Sequence, residues 1–212
     1  MTDVPLDQRE REELCDLFLE LGPDAPTLCE GWTTADLAAH LVVRERDPRA
    51  SVGILRGKGR AAALTAKLQA REKAKGYEAV VARVRSGPPR LLRIEPLRTY
   101  VNLSEYFIHH EDVRRANGRT RRTDRPDLDD ALWRLLGKTG RFMARRVRGA
   151  GLELRRPGGE SLVVGKAEPR AVLTGHPSEL VLYLSGRRGA ADVELSGPPE
   201  AVRTVEGASL GL

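Results

Sequence analysis

Glu105 and His109 stand four residues apart in a stretch that reads as helix, so they are separated by roughly 40° around the helix axis and about 6 Å along it. Both can reach one ion. A carboxylate oxygen and a neutral imidazole nitrogen are ordinary zinc ligands, and facing helices of a bundle are where such groups converge. His40 lies between Leu37 and Leu41 on a second amphipathic stretch, which turns its ring toward the apolar side, where each ring nitrogen requires a partner. Each observation has a plainer reading: a Glu–His pair at this spacing is ordinarily a surface feature, and a lone core histidine is ordinarily only hydrogen-bonded. What the spacing adds is that two separate helices direct metal-competent groups from their apolar faces. His40, Glu105 and His109 are therefore the candidate ligands of one divalent metal ion, with zinc the expected identity.

The neighbours are read in the same way. Asp112 follows His109 by three residues, as support for the imidazole or as an ordinary charge near the helix end. His110 points about 100° away from His109 and reads as a bystander. Cys29 precedes the His40 helix, either as an internal nucleophile or, the preferred reading, as a small buried residue beside Trp32. Arg187 and Arg188 follow a short helix near the C-terminus, where they could meet an acidic substrate but read more naturally as solvated.

The elements that must position these groups are mostly helical up to residue 148. Leu14, Leu17, Phe18 and Leu21 recur at helical spacing until Gly22-Pro23 stops the run. Thr33 with Asp36 three residues on resembles a capping box, with Asp in the role more often filled by Glu, and Leu37, His40, Leu41 and Arg44 follow on one stripe before Pro48. Helices are predicted from about Ala61 to Ala74, with Leu64 and Leu68 on the apolar side, and around Tyr77, Val80, Val81 and Val84, before the breaker run Ser86-Gly87-Pro88-Pro89. The metal helix is predicted from about Leu97 to Asn117, with Val101, Glu105, Ile108, His109, Asp112 and Ala116 on one broad face. A last helix follows Pro126 with the stripe Leu128, Leu132, Leu135, Leu136, Phe142, Met143 and Val147, interrupted by Gly137 and Gly140.

After Gly149-Ala150-Gly151 the period becomes alternating. Leu152-Glu153-Leu154 and Leu162-Val163-Val164 flank Pro157-Gly158-Gly159 as a hairpin, Ala171 to Leu173 and Asp192 to Leu195 read as strands, and Pro177 to Leu184 and Pro199 to Val205 as helices. The expectation is an α+β chain: a helical bundle over residues 1–148 and a small α+β domain over residues 152–212.

Composition narrows the class. Two cysteines do not make a disulfide framework, the N-terminus has no basic stretch leading into an apolar run, and no window approaches about 18 uninterrupted apolar residues. A membrane-free protein of a reducing compartment, the cytoplasm, is expected. The net charge of +6 is concentrated between Val113 and Arg148, where eleven Arg and one Lys face four acids, giving +8. Of 36 basic residues 30 are Arg, which with abundant Ala and Gly points to base-composition bias more than to phosphate contact. The segment's two aromatics, Trp133 and Phe142, belong to the packing stripe, so no specific nucleic-acid partner is expected.

The run Thr27-Leu28-Cys29-Glu30-Gly31-Trp32-Thr33-Thr34-Ala35-Asp36-Leu37-Ala38-Ala39-His40-Leu41, followed much later by Glu105-Tyr106-Phe107-Ile108-His109-His110-Glu111-Asp112, resembles the mycothiol-dependent maleylpyruvate isomerase family within the DinB-like bundle superfamily. The tail, Ala171 to Gly175 and Glu179 to Arg187, is similar to that family's smaller C-terminal domain. The resemblance implies a DinB-like four-helix bundle whose metal is bound by His40, Glu105 and His109. It also implies a low-molecular-weight thiol such as mycothiol as cosubstrate and an electrophilic small molecule as substrate, joined by isomerisation or thiol transfer. Three protein ligands would leave a tetrahedral ion one open position, as catalytic sites do. A metal-binding module without turnover and a hydrolase using metal-activated water are the competing readings.

Overall fold

The computed structural model describes residues 4–47, 59–88 and 97–211; Pro48, Pro89 and the side chain of Val101 lie outside the described residues. The chain falls into two compact units, Met1–Thr120 and Arg121–Leu212. The first contains helices α1 (Leu6–Leu21), α2 (Thr34–Arg46), α3 (Gly59–Lys73), α4 (Tyr77–Arg85) and α5 (Leu97–Ala116). Helix α1 ends where Gly22 takes φ +82°, a conformation that residues with a Cβ rarely adopt. Helix α2 begins with the capping box expected from Thr33 and Asp36: the Thr33 backbone N–H and hydroxyl both lie 3.0 Å from Asp36 Oδ2.

Four of these helices build one core. Leu14, Leu17 and Phe18 of α1, Leu37, Leu41 and Val42 of α2, Val80, Val81 and Val84 of α4, and Tyr106 and Val113 of α5 are buried against each other. Each such side chain contributes about 1.5–3 kcal/mol relative to exposure. Helix α3 packs on the outside, against α2 and α4. Its expected apolar stripe is displaced: Leu64 is exposed, Leu68 half-buried, and the buried position is Thr65.

The second unit contains α6 (Pro126–Met143), strands β1 (Gly151–Arg155), β2 (Ser161–Gly165), β3 (Arg170–Gly175) and β4 (Val193–Ser196), and helices α7 (Pro177–Leu184) and α8 (Pro199–Gly207). The sheet order is β2-β1-β3-β4. β1 and β2 form the expected antiparallel hairpin, but β3 lies on the other side of β1 in parallel, Leu154 opposite Leu173, and β4 pairs antiparallel with β3. Leu152, Leu154, Ala171 and Leu173 are buried from this sheet, with Leu180, Val181 and Leu182 of α7 and Ala201 and Val205 of α8. The fold class is thus α+β, a helical N-terminal part and a small C-terminal sheet.

Helix α6 belongs with that sheet, packing on β2 and α7. The change from helical to alternating period near residue 150 marks where secondary structure switches, whereas packing divides the chain thirty residues earlier, between Thr120 and Arg121. Helix α6 is also continuous through both glycines. A Cβ on Gly140 would meet Val164 Cγ1 at 2.7 Å, while nothing lies within 4 Å of a Cβ on Gly137. The two substitutions are therefore expected to differ in sign. Gly137→Ala should stabilise the chain by up to about 1 kcal/mol through helix propensity, and Gly140→Ala should destabilise it by about 1 kcal/mol as overpacking outweighs the same gain. Denaturant midpoints check this; two shifts of equal sign would show that Val164 relaxes freely. The apolar stripe of α6 holds for Leu128, Leu132, Leu135 and Leu136 but not for Phe142, which is 57% exposed beneath the Arg145 guanidinium.

Candidate metal centre

The capping box fixes where α2 starts, and that start places Leu37, His40 and Leu41 toward the core. Helix α5 is unusual in being buried nearly all round its middle: Tyr106, Phe107, His109, His110, Glu111, Asp112 and Val113 are all buried. A helix with so many charged groups inside requires each to find a partner.

Those partners define the site. The candidate ligand atoms of His40, Glu105 and His109 all lie within 4.8 Å of one another. His109 Nε2 is 3.5 Å from Glu105 Oε2, and the His40 and His109 rings meet edge-on, centroids 5.3 Å apart. Tetrahedral zinc with bonds near 2.0–2.1 Å sets ligand atoms about 3.4 Å apart, and the 3.5 Å between His109 Nε2 and Glu105 Oε2 matches that spacing.

The surrounding groups hold the three in place. His109 Nδ1 donates to Asp112 Oδ2 at 2.9 Å, which leaves Nε2 on the Glu105 side. Asp112 Oδ2 also accepts the Cys29 thiol at 3.2 Å. Arg44 Nε lies 3.1 Å from Glu105 Oε2. The Trp32 ring sits 5.0 Å from that of His40, and the Gln69 amide reaches His40 Nδ1 at 3.2 Å. The contact is made by Gln69 Nε2, so for His40 to offer its own Nε2 to a metal, with the proton on Nδ1, the amide must turn over to place its oxygen against the ring.

Electrostatics separates the two histidines. Burial, reinforced by the neighbouring His109, pushes His40 down to about 3, so its ring is neutral at pH 7, as a ligand must be. His109 behaves oppositely: burial alone would lower it, but the hydrogen bonds to Asp112, Cys29 and Glu105 carry it well above the usual range. For Glu105 burial would raise the value, and the His109 hydrogen bond and Arg44 outweigh it and hold the carboxyl at about 2. A proton on His109 thus occupies the negative pocket between two carboxylates. A divalent cation satisfies the same pocket by displacing that proton.

The three residues nominated from spacing therefore come together in the fold. Two others matter more than their spacing suggested. Cys29, preferred as a packing residue beside Trp32, hydrogen-bonds the carboxylate that holds His109. His110, read as a bystander, is buried with its Nδ1 3.1 Å from Glu10 Oε2, in a second His/Glu group that includes Glu13. The available signal was Glu10 and Glu13 falling on the same side of α1 as Leu14 and Leu17. Gln69, on the outer helix, carried no signal at all. The C-terminal arginines are occupied structurally: Arg187 donates to Ser185 O, and Arg188 lies over Tyr183 and donates to the carbonyls of Val205 and Ala208 at the end of α8.

The family model described as "Mycothiol maleylpyruvate isomerase N-terminal domain" matches residues 8–139. No curated protein matches the chain. Among solved structures, a crystal structure of the mycothiol-dependent maleylpyruvate isomerase is similar over 90% of both chains, with 18% identity and TM-score 0.59. A mutant form of a mycothiol-dependent maleylpyruvate isomerase is similar over 92% of this chain and 93% of its own, with 19% identity and TM-score 0.56. At these identities the structural likeness speaks for the fold alone. The family match, covering well over half of the 212 residues and both helices that carry the candidate ligands, settles membership: this chain belongs to the mycothiol maleylpyruvate isomerase N-terminal domain family.

Proposed function

We propose that this protein is a metal-dependent enzyme, with zinc as its metal, that uses a low-molecular-weight thiol such as mycothiol to isomerise or thiolate an electrophilic small molecule. The observation that carries the reading is the donor set itself: two imidazoles and one carboxylate from two helices, with no fourth protein ligand in that group among the described residues. Three ligands leave one position for a reactant, the arrangement of catalytic rather than structural zinc. His40, Glu105 and His109 hold the ion. A divalent ion bound there supplies the positive charge that ionises a thiol at neutral pH.

The chain's own residues do the rest. Asp112 keeps the proton on His109 Nδ1 and so leaves Nε2 a lone pair. Arg44 anchors Glu105, and Trp32 shields one side of His40 from water. Isomerisation of a double bond then requires addition of the thiol, rotation and elimination; transfer stops after addition. The two free cysteines, Cys15 and Cys29, agree with a reducing compartment such as the cytoplasm, and no helix among the described residues is long and apolar enough to cross a membrane.

The test is cobalt substitution. Added mycothiol, or a simpler cysteine-derived thiol, is expected to introduce a sulfur-to-cobalt charge-transfer band. The band should grow with pH around a midpoint below the free thiol value of about 8.5. Thiol-dependent consumption of maleylpyruvate, followed by chromatography, provides the activity arm. A spectrum unmoved by millimolar thiol would overturn the thiol reading and favour metal-activated water.

A further inference from the structure

Both candidate histidine ligands are held from behind by one short segment. Residues 26–33 pass from the end of α1 to the cap of α2. They are stitched to α5 by the Leu28 N–H donating to Asp112 O at 3.1 Å and by Asn117 Nδ2 donating to Pro26 O at 3.0 Å. Thr27 stiffens the segment from within: its hydroxyl bonds the Cys29 and Trp32 carbonyls and accepts the Cys29 N–H. From this strap Trp32 reaches the His40 ring, and Cys29 reaches Asp112.

Cys29 Sγ and His109 Nδ1 therefore converge on a single oxygen, Asp112 Oδ2, at 3.2 and 2.9 Å. Asp112 is fully buried, and its Oδ2 accepts both donors. A carboxylate that receives a second hydrogen bond has its plane fixed and its rotation suppressed, and it passes that constraint to the imidazole it holds. The thiol donates to this anion, and the ligand-competent atoms of Cys29, His109 and Asp112 all lie within 4.8 Å of one another.

Building on the metal reading above, we infer that Cys29 is a positioning residue of this centre. Its thiol donates to Asp112, fixes that carboxylate against His109 Nδ1, and thereby sets the direction of His109 Nε2. The role differs from that of Cys15, whose Sγ lies in the α1 core 3.8 Å from the Val81 carbonyl, away from any candidate ligand.

The experiment compares Cys29→Ala, Cys29→Ser and, as a control, Cys15→Ala, each titrated with zinc against a chromophoric chelator and then loaded with cobalt. Loss of a modest hydrogen bond in Cys29→Ala is expected to weaken zinc binding about fivefold and to shift the cobalt ligand-field bands, at full stoichiometry. Cys29→Ser, whose hydroxyl can also donate to Asp112, should recover most of the affinity and the parent spectrum. Cys15→Ala should lower thermal stability and leave the cobalt spectrum unchanged. Wild-type affinity and spectrum in Cys29→Ala, or a Ser variant as impaired as Ala, would overturn the role. A sulfur-to-cobalt band in the thiol-free protein that disappears in Cys29→Ala would also overturn it, by placing Sγ on the metal. Failure of the metal reading itself looks different: His40→Ala would then bind zinc as the wild type does.

Discussion

Replacing His109 by alanine should abolish stoichiometric metal binding, and His40→Ala and Glu105→Ala should do so nearly as completely. The groups that merely orient a ligand are worth about 10–100-fold in affinity, so loss of a ligand itself should exceed about 100-fold. His109 carries the largest expected effect because it contacts both Glu105 and Asp112; without its ring two carboxylates face each other across the site. Elemental analysis of the purified variants reads occupancy directly. A second readout is stability: zinc at about 1,000 times its Kd should add about 4 kcal/mol to the wild type and nothing to the variants. His110→Ala should keep its metal at this centre, since its ring is turned to Glu10. Full occupancy in Glu105→Ala would remove the proposed site.

The second large effect concerns stability alone. Arg11 and Glu45 form a bidentate ion pair at 2.6 and 2.7 Å whose side chains are only 6% and 4% exposed. The guanidinium also donates to the Val84 carbonyl at 2.8 Å and lies 4.2 Å from the centre of the Tyr106 ring. Glu45→Ala leaves that cation buried without its counter-charge, a change that costs about 3–5 kcal/mol. A loss of roughly 10 °C or more in melting temperature follows. The double substitution Arg11→Met with Glu45→Leu should recover part of this, because an apolar pair avoids desolvating two charges. Equal melting temperatures for Glu45→Ala and the wild type would show that water reaches Arg11 in solution.

Particular residues show what the sequence could and could not reveal. Thr33 and Asp36 announced the start of α2 because a cap is a local device, satisfied within four residues. The β1–β2 hairpin was legible for the same reason, from Pro157-Gly158-Gly159 between two alternating runs. His40, Glu105 and His109 could be nominated because polar groups on an apolar stripe are conspicuous. Periodicity, however, reports which face is buried and not which neighbour covers it. Cys29 and Asp112 are 83 residues apart, and Glu10 and His110 are 100 apart. The parallel pairing of β3 with β1 and the packing of α6 on the sheet are likewise choices among partners. Helix α5 was placed within a residue of its observed bounds, but which of its groups are buried was not legible: with its middle buried on nearly every side, it has little amphipathic contrast to display.

That same burial makes α5 a helix whose rotational phase is determined by bonds rather than by shape. Leucine and valine surfaces tolerate a slight roll of one helix on another, because the dispersion attraction given up on one side is recovered on the next. Polar pairs do not, since hydrogen-bond strength falls steeply with misalignment. His110 ties α5 to Glu10 on α1, Glu105 ties it to Arg44 on α2, and the Asp112 carbonyl and Asn117 tie it to the strap. These anchors leave from different sides of one cylinder, so any roll that relaxes one stretches another. The helix behaves as a keyed shaft, and the direction in which Glu105 and His109 face is set before any ligand arrives.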